Sequence, residues 1–165
     1  MRGIACGPGR RIESRMMLDR PIIVHDIEDA RAALAAAAEA GIASLTLRSA
    51  AGAARYLGAT VFRDMIADAA RPYPGVAVTA VFDCGDDPGL ALGALRHGLK
   101  VIRLAAGDDA RRRVAEIAAA GGARLEDATA AAPALDLLDV RDRRSALMAW
   151  LAADAGARHK SGGPT

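Results

Sequence analysis

The sequence is short of lysine, aromatics and cysteine, and each shortage removes a class of function. Lysine occurs only as Lys100 and Lys160, so nearly all basic residues are arginines and amine chemistry has two candidates. Aromatic residues make up 3% of the chain. That leaves few stacking platforms for bases or sugars, and a core built from Ala, Leu, Ile and Val. The two cysteines, Cys6 and Cys84, stand in an expected extension and at an expected strand end; nothing in their placement argues for a structural disulfide, and a cytoplasmic setting is expected. No apolar run reaches the roughly 18 residues that a membrane helix needs. The start of the chain carries Arg2, Gly3, Gly7 and Pro8 in place of a continuous apolar stretch. Neither export nor a membrane partner is expected. A net charge of +2 is too small to imply a polyanion, so no nucleic-acid partner is expected either.

What the chain has in plenty is alanine, about a quarter of its 165 residues, and alanine is the best helix former. The length suits one domain with a real core and falls short of an eight-unit βα barrel, which takes about 250 residues. Residues 1–19 read as a flexible extension, with Met16 or Met17 as an alternative start; residues 20–155 read as a single βα-repeat domain and 156–165 as a polar tail. Within the domain, a short apolar run at 22–24 precedes an alanine-rich helix over 26–40 that Gly41 stops. A second strand over 44–48 leads to a helical stretch over about 52–70, ended by Pro72, Pro74 and Gly75. The most apolar strand, 76–82, is followed by a helix with Asp87 as cap, Pro88 at its first position and Gly98 at its end. A fourth strand over 101–104, a helix over 108–120 capped by Asp108, a weaker strand near 123–125 and an amphipathic stretch over 141–153 complete the series. About five βα repeats make an α/β fold with a parallel sheet, either an incomplete TIM-like barrel or an open doubly wound sheet. Too few units to close a barrel leave sheet edges to cover, which predicts a homo-oligomer.

In either geometry the carboxyl ends of parallel strands form the edge where ligands bind. The residues falling there are His25 and Asp26, Arg48 and Ser49, Asp83 and Cys84, Arg103, and Glu126 with Asp127. Asp26 reads as the cap of its helix, with Asp29 three residues on. Asp83 sits between an apolar strand and Gly85, ahead of the expected cap, and is a candidate general base together with His25. Arg48 is the leading substrate-binding residue, with Ser49 and Arg103 beside it. A guanidinium ending a buried strand must meet an anion, either a carboxylate such as Asp83 or a ligand carboxylate or phosphate. Cys84 next to Asp83 reads as a small buried thiol rather than a nucleophile. The run Arg111, Arg112 and Arg113 points around much of a helix and reads as a solvated face. No metal-ligand spacing and no glycine-rich phosphate loop is present, so no metal and no cofactor is expected.

The stretch 32–49, an alanine-rich helix ending in Glu39, Ala40 and Gly41 and followed by Ser44, Leu45, Thr46, Leu47, Arg48 and Ser49, resembles the second unit of the KDPG aldolase family of class I aldolases. The apolar pattern of residues 80–104 is similar to that family's strand, helix and strand. Together the two stretches cover about a third of the chain, in a pattern that any alanine-rich βα repeat partly shares. The resemblance implies a βα barrel scaffold and an anion-binding role for Arg48. It departs at the catalytic positions: Ser44 stands where the family has its acid–base glutamate, and Lys100 begins its strand where a Schiff-base lysine would end one. Three functions follow as expectations. The leading one is a small cleft for an anionic metabolite formed by Arg48, Asp83 and His25; the others are a lyase or isomerase of the aldolase type with Asp83 or His25 as base, and a self-associating interaction protein.

Overall fold

The computed structural model describes residues 20–128 and 133–160. The extension read over 1–19, and Cys6 with it, lies outside the described residues.

The chain is α/β with one parallel sheet of six strands, in the order β5-β4-β3-β2-β1-β6, that stays open instead of closing into a barrel. Its strands are β1 (Ile22–Val24), β2 (Ser44–Ser49), β3 (Ala77–Asp83), β4 (Val101–Leu104), β5 (Arg124–Asp127) and β6 (Leu135–Asp136). The helices are α1 (Ile27–Glu39), α2 (Ala59–Ala70), α3 (Pro88–Arg96), α4 (Asp108–Ala120) and α5 (Arg143–Lys160). Each of the first four follows its strand and carries the chain back for the next parallel strand, and neighbouring helices touch in the order α5, α1, α2, α3, α4.

Alternation along the strands sorts the side chains. Leu45 and Leu47 of β2, Phe82 of β3 and Ile102 and Leu104 of β4 join one core with Phe62 and Ile66 of α2, Val114 of α4 and Leu147 of α5. Phe62 and Phe82 stack with centroids 5.1 Å apart. Small alanines (Ala30, Ala33 and Ala37 of α1, Ala91 and Ala94 of α3) let the helices sit close on the sheet. Val81 and Val101 are buried too, but they sit one residue out of phase with Phe82 and Ile102. They share the opposite face with Arg48, their register neighbour on β2.

Several boundaries differ from the sequence expectation. The helix expected from about residue 52 begins at Ala59, because Gly52 takes a left-handed φ of 64° and opens a short 3-10 turn, Ala53–Arg55, instead. Asp108 is not a cap: Gly107 holds that position, with Asp108 and Asp109 in the first turn of α4, where they favour the positive end of the helix dipole. Asp87 caps α3 as expected, accepting the amides of Gly89 and Leu90, with Pro88 in the first turn. β3 is fully buried only from Val81 onward; Ala77 is exposed and Val78–Ala80 half-buried. β6 was not foreseen, being two residues long, and α5 continues to Lys160, into the stretch read as tail. Among the described residues no helix is long and apolar enough to cross a membrane.

Candidate functional site

His25 follows β1 directly, where Asp26 stops the strand and starts α1 by accepting the amide of Asp29 at 2.8 Å. The His25 ring reaches across to β6, its Nε2 standing 2.7 Å from Oδ1 of Asp136. An ionised carboxylate only accepts, so Nε2 carries the proton in this pair and the neutral ring keeps Nδ1 as its acceptor. The His25 side chain is 22% exposed and that of Asp136 52%, so the pair sits at the water boundary. Desolvation, the largest single cause, raises the Asp136 carboxyl. The Leu138 amide, the His25 ring and the charge of Arg48 outweigh it and hold the group below its usual value. Arg48 thus lies within electrostatic reach of Asp136. The register agrees: Ile23 of β1 stands between Asp136 on one side and Arg48 on the other, so the carboxylate and the guanidinium share a sheet face.

Asp83, the other expected base, is built into the scaffold. Its Oδ1 accepts the amides of Gly52 at 2.8 Å and Gly85 at 2.9 Å, while Oδ2 lies 3.6 Å from Nη1 of Arg103. The cation that the structure sets against Asp83 is therefore Arg103, one register step away on β4, where Arg48 was expected. Both side chains are largely buried, 11% exposed for Arg103 and 7% for Asp83. Gly52 and Gly85 have positive φ and approach closely, the site of a Cβ on Gly85 being 3.5 Å from Cα of Gly52. The β2–α2 and β3–α3 loops are thus tied together over one carboxylate.

Ser49 is equally committed. Its hydroxyl accepts the Asp83 amide at 2.9 Å and donates to the Ala50 carbonyl at 3.3 Å, and the residue is buried. Arg103 also donates to the Ala128 carbonyl at 3.1 Å. Of the three expected substrate-binding residues, Ser49 and Arg103 support the loops, and Arg48 stands next to the His25–Asp136 pair. Cys84 is fully buried and free, its thiol pushed up to about 12 by burial and then by the charges of Asp83 and Asp87. That excludes an activated nucleophile. Glu126 pairs with Arg124 at 2.9 Å. Of the arginine run, Arg112 and Arg113 are exposed and Arg111 is half-buried.

Lys100 lies at the amino end of β4, exposed, its ammonium donating to the Gly121 carbonyl at 3.1 Å. It faces away from the carboxyl edge, so no imine-forming amine reaches the site from this lysine. Among the described residues no group of three or more His, Cys, Asp or Glu side chains gathers to hold a metal ion.

Two residues of the site carry no functional signal in the sequence. Asp136 gave no signal, because a two-residue strand has no periodicity to read. Asp29 was read only as a partner of the Asp26 cap, yet it is buried and accepts the backbone amide of His25 through Oδ2 at 3.0 Å. No protein-family model matches the chain, and no curated protein matches it at a significant level.

Proposed function

We propose that the carboxyl edge is a site for a small anionic metabolite, a carboxylate or phosphate held by Arg48, and that His25 moves a proton on the bound molecule. The activity would be of the lyase or isomerase type. The observation that carries this reading is the His25–Asp136 pair at 2.7 Å, within electrostatic reach of Arg48. Asp136 fixes the ring's orientation and tautomer, as the third member of a base–orienter arrangement does. Nδ1 then takes a proton next to the bound anion and returns it to the product, while the Arg48 charge stabilises negative charge developing on the substrate. Asp83 shapes the loops around this chemistry and is not its base. Schiff-base aldol chemistry forms no part of the proposal, and the setting we read for it is cytoplasmic.

Thermal unfolding measured with inorganic phosphate, phosphorylated sugars and 2-oxo acids tests the site, since a ligand that binds the native state raises its melting temperature. Wild type should gain stability with at least one of these anions. Arg48→Ala should lose that gain, measured against the variant's own ligand-free melting temperature; His25→Ala should keep binding and lose turnover. An anion response that survives Arg48→Ala overturns the reading.

A second reading, self-association, is favoured by the edge of the sheet: β5 pairs only with β4 among the described residues, and Ile117 on α4 is 51% exposed. Edge strands invite pairing with another chain. Sedimentation at tens of micromolar, an order-of-magnitude choice within ordinary affinities, should then give a dimer or larger species, and a monomer would remove this reading.

A further inference from the structure

Resting on the reading of His25 as the base, we propose that Asp29 and Arg143 are positioning residues of the site, an ion pair between a buried carboxylate and a half-exposed guanidinium through which α5 fixes the turn that presents His25. Asp29 is the third residue of α1, where an acidic side chain ordinarily folds back on the cap residue's own amide. Here it reaches one residue further, to the amide of His25 at 3.0 Å. Its other oxygen, Oδ1, lies 2.7 Å from Nε of Arg143 at the start of α5. The Asp29 side chain is 1% exposed and that of Arg143 42%. Neither Oδ1 nor Nε has an aligned hydrogen-bond partner, so charge attraction and not bond geometry holds them. Burying a carboxylate this deeply is costly unless a cation stands beside it.

The result is a histidine held at both ends by carboxylates, the ring by Asp136 and the backbone by Asp29. Asp136 and Arg143 both belong to the C-terminal segment that contributes β6 and α5, so this segment supplies the ring's partner and the counter-charge of the backbone's partner. Among the described residues, charged groups near His25 include Asp26 and Asp29 of the α1 terminus, Asp136 of β6, and Arg48 of β2 acting through Asp136. Without Arg143, Asp29 is an uncompensated buried charge that admits water or turns away from its place. Either response weakens its hold on the His25 amide, and the ring then leaves the orientation in which Asp136 fixes its tautomer. A natural control lies next in sequence: Arg144 also ties α5 to α1, through Glu39, but on the surface, where the two side chains are 70% and 49% exposed.

The test reads His25 itself. Ring nitrogens are observed by long-range proton–nitrogen correlation, and the His25 amide by hydrogen exchange, in wild type, Arg143→Ala, Arg143→Lys and Arg144→Ala. Wild type should show distinct ring nitrogens with Nε2 protonated and a protected amide. Arg143→Ala should bring the ring signals toward a mixture of tautomers and speed His25 amide exchange by about tenfold or more, as loss of a charge-assisted acceptor implies. Arg143→Lys, which keeps the charge, should restore most of the pattern, and Arg144→Ala should match wild type. Wild-type signals in folded Arg143→Ala overturn the proposal, as does an equal disturbance by Arg144→Ala, which would mean that only helix docking matters. If Arg143→Ala does not fold, Asp29→Asn decides: a disturbed His25 ring and amide support the proposal, and unchanged ones overturn it. Absence of any anion response in wild type would refute the functional reading while leaving these His25 signals in place, so the two failures are told apart.

Discussion

Titrating Asp136 separates its contribution from that of the surrounding scaffold. Its folded carboxyl lies below the ordinary value of 3.8, because desolvation, the largest single cause, is outweighed by the Leu138 amide, the His25 ring and the Arg48 charge together. For a group whose folded pKa is depressed, the stability it contributes is complete above the unfolded value and disappears as pH falls through the folded one. Asp136→Asn should therefore be less stable than wild type near neutral pH, by a modest amount because the side chain is half exposed and screened. The difference should shrink as the pH is lowered below 3.8. Urea unfolding of both proteins across that range checks it; a constant gap would mean that the His25 contact adds nothing specific to the ionised form. Asp83, accepting two amides and facing Arg103 from a buried position, shows the other fate of a strand-end carboxylate: it is consumed by the loops it joins.

Among the elements, α3 depends most visibly on a local signal. Asp87 satisfies two of the amides that a helix start leaves unpaired, and Pro88 takes a place where no donor is needed. Asp87→Ala should cost about 1 kcal/mol, the usual worth of such a cap. Denaturant unfolding with an unchanged slope measures it, and no loss would show that the sheet holds α3 without help. α4 starts on Gly107 with no side-chain cap, and α2 on Gly58, also uncapped. Their placement therefore rests on packing, through Val114 for α4 and through Phe62 and Ile66 for α2. This explains why α2 starts later than the sequence suggests: alanine-rich sequence over 51–54 has helix propensity, yet Gly52 turns the chain toward the Asp83 carboxylate, and a tertiary hydrogen bond outweighs a few tenths of a kcal/mol of propensity.

In the whole molecule, the last segment closes the architecture. β6 pairs with β1, α5 packs on α1, and Leu147 is fully buried in the common core. Trp150 and Arg20 clasp the entry to β1, each donating to the other's carbonyl with the guanidinium 3.7 Å from the ring. A chain with so few aromatics thus places its only tryptophan on the seam between its two ends. Because that seam belongs to the one core, Leu147→Ala should destabilise the entire protein by roughly 2–5 kcal/mol. Sheet and α5 should still melt in one transition, recorded by circular dichroism and Trp150 fluorescence together. Two separated transitions would show that α5 is an appendage and not part of the cooperative unit.

The sequence by itself determined the α/β class, the parallel sheet, the alternation of β1 to β5 with α1 to α4, and the strand ends at which His25, Arg48 and Asp83 stand. Those features follow from local signals: apolar runs too short for helices, alanine-rich stretches between them, and Asp, Pro and Gly at helix ends. It also placed Cys84 inside the protein. Only the tertiary structure decided which charges meet. That Arg103 rather than Arg48 was set against Asp83, that Asp136 comes from a two-residue strand to hold His25, and that Arg143 arrives from the last helix to hold Asp29 depend on strand order and register. A local pattern carries no record of which distant carboxylate a guanidinium will reach, because Coulomb attraction depends on separation in space and is indifferent to separation along the chain.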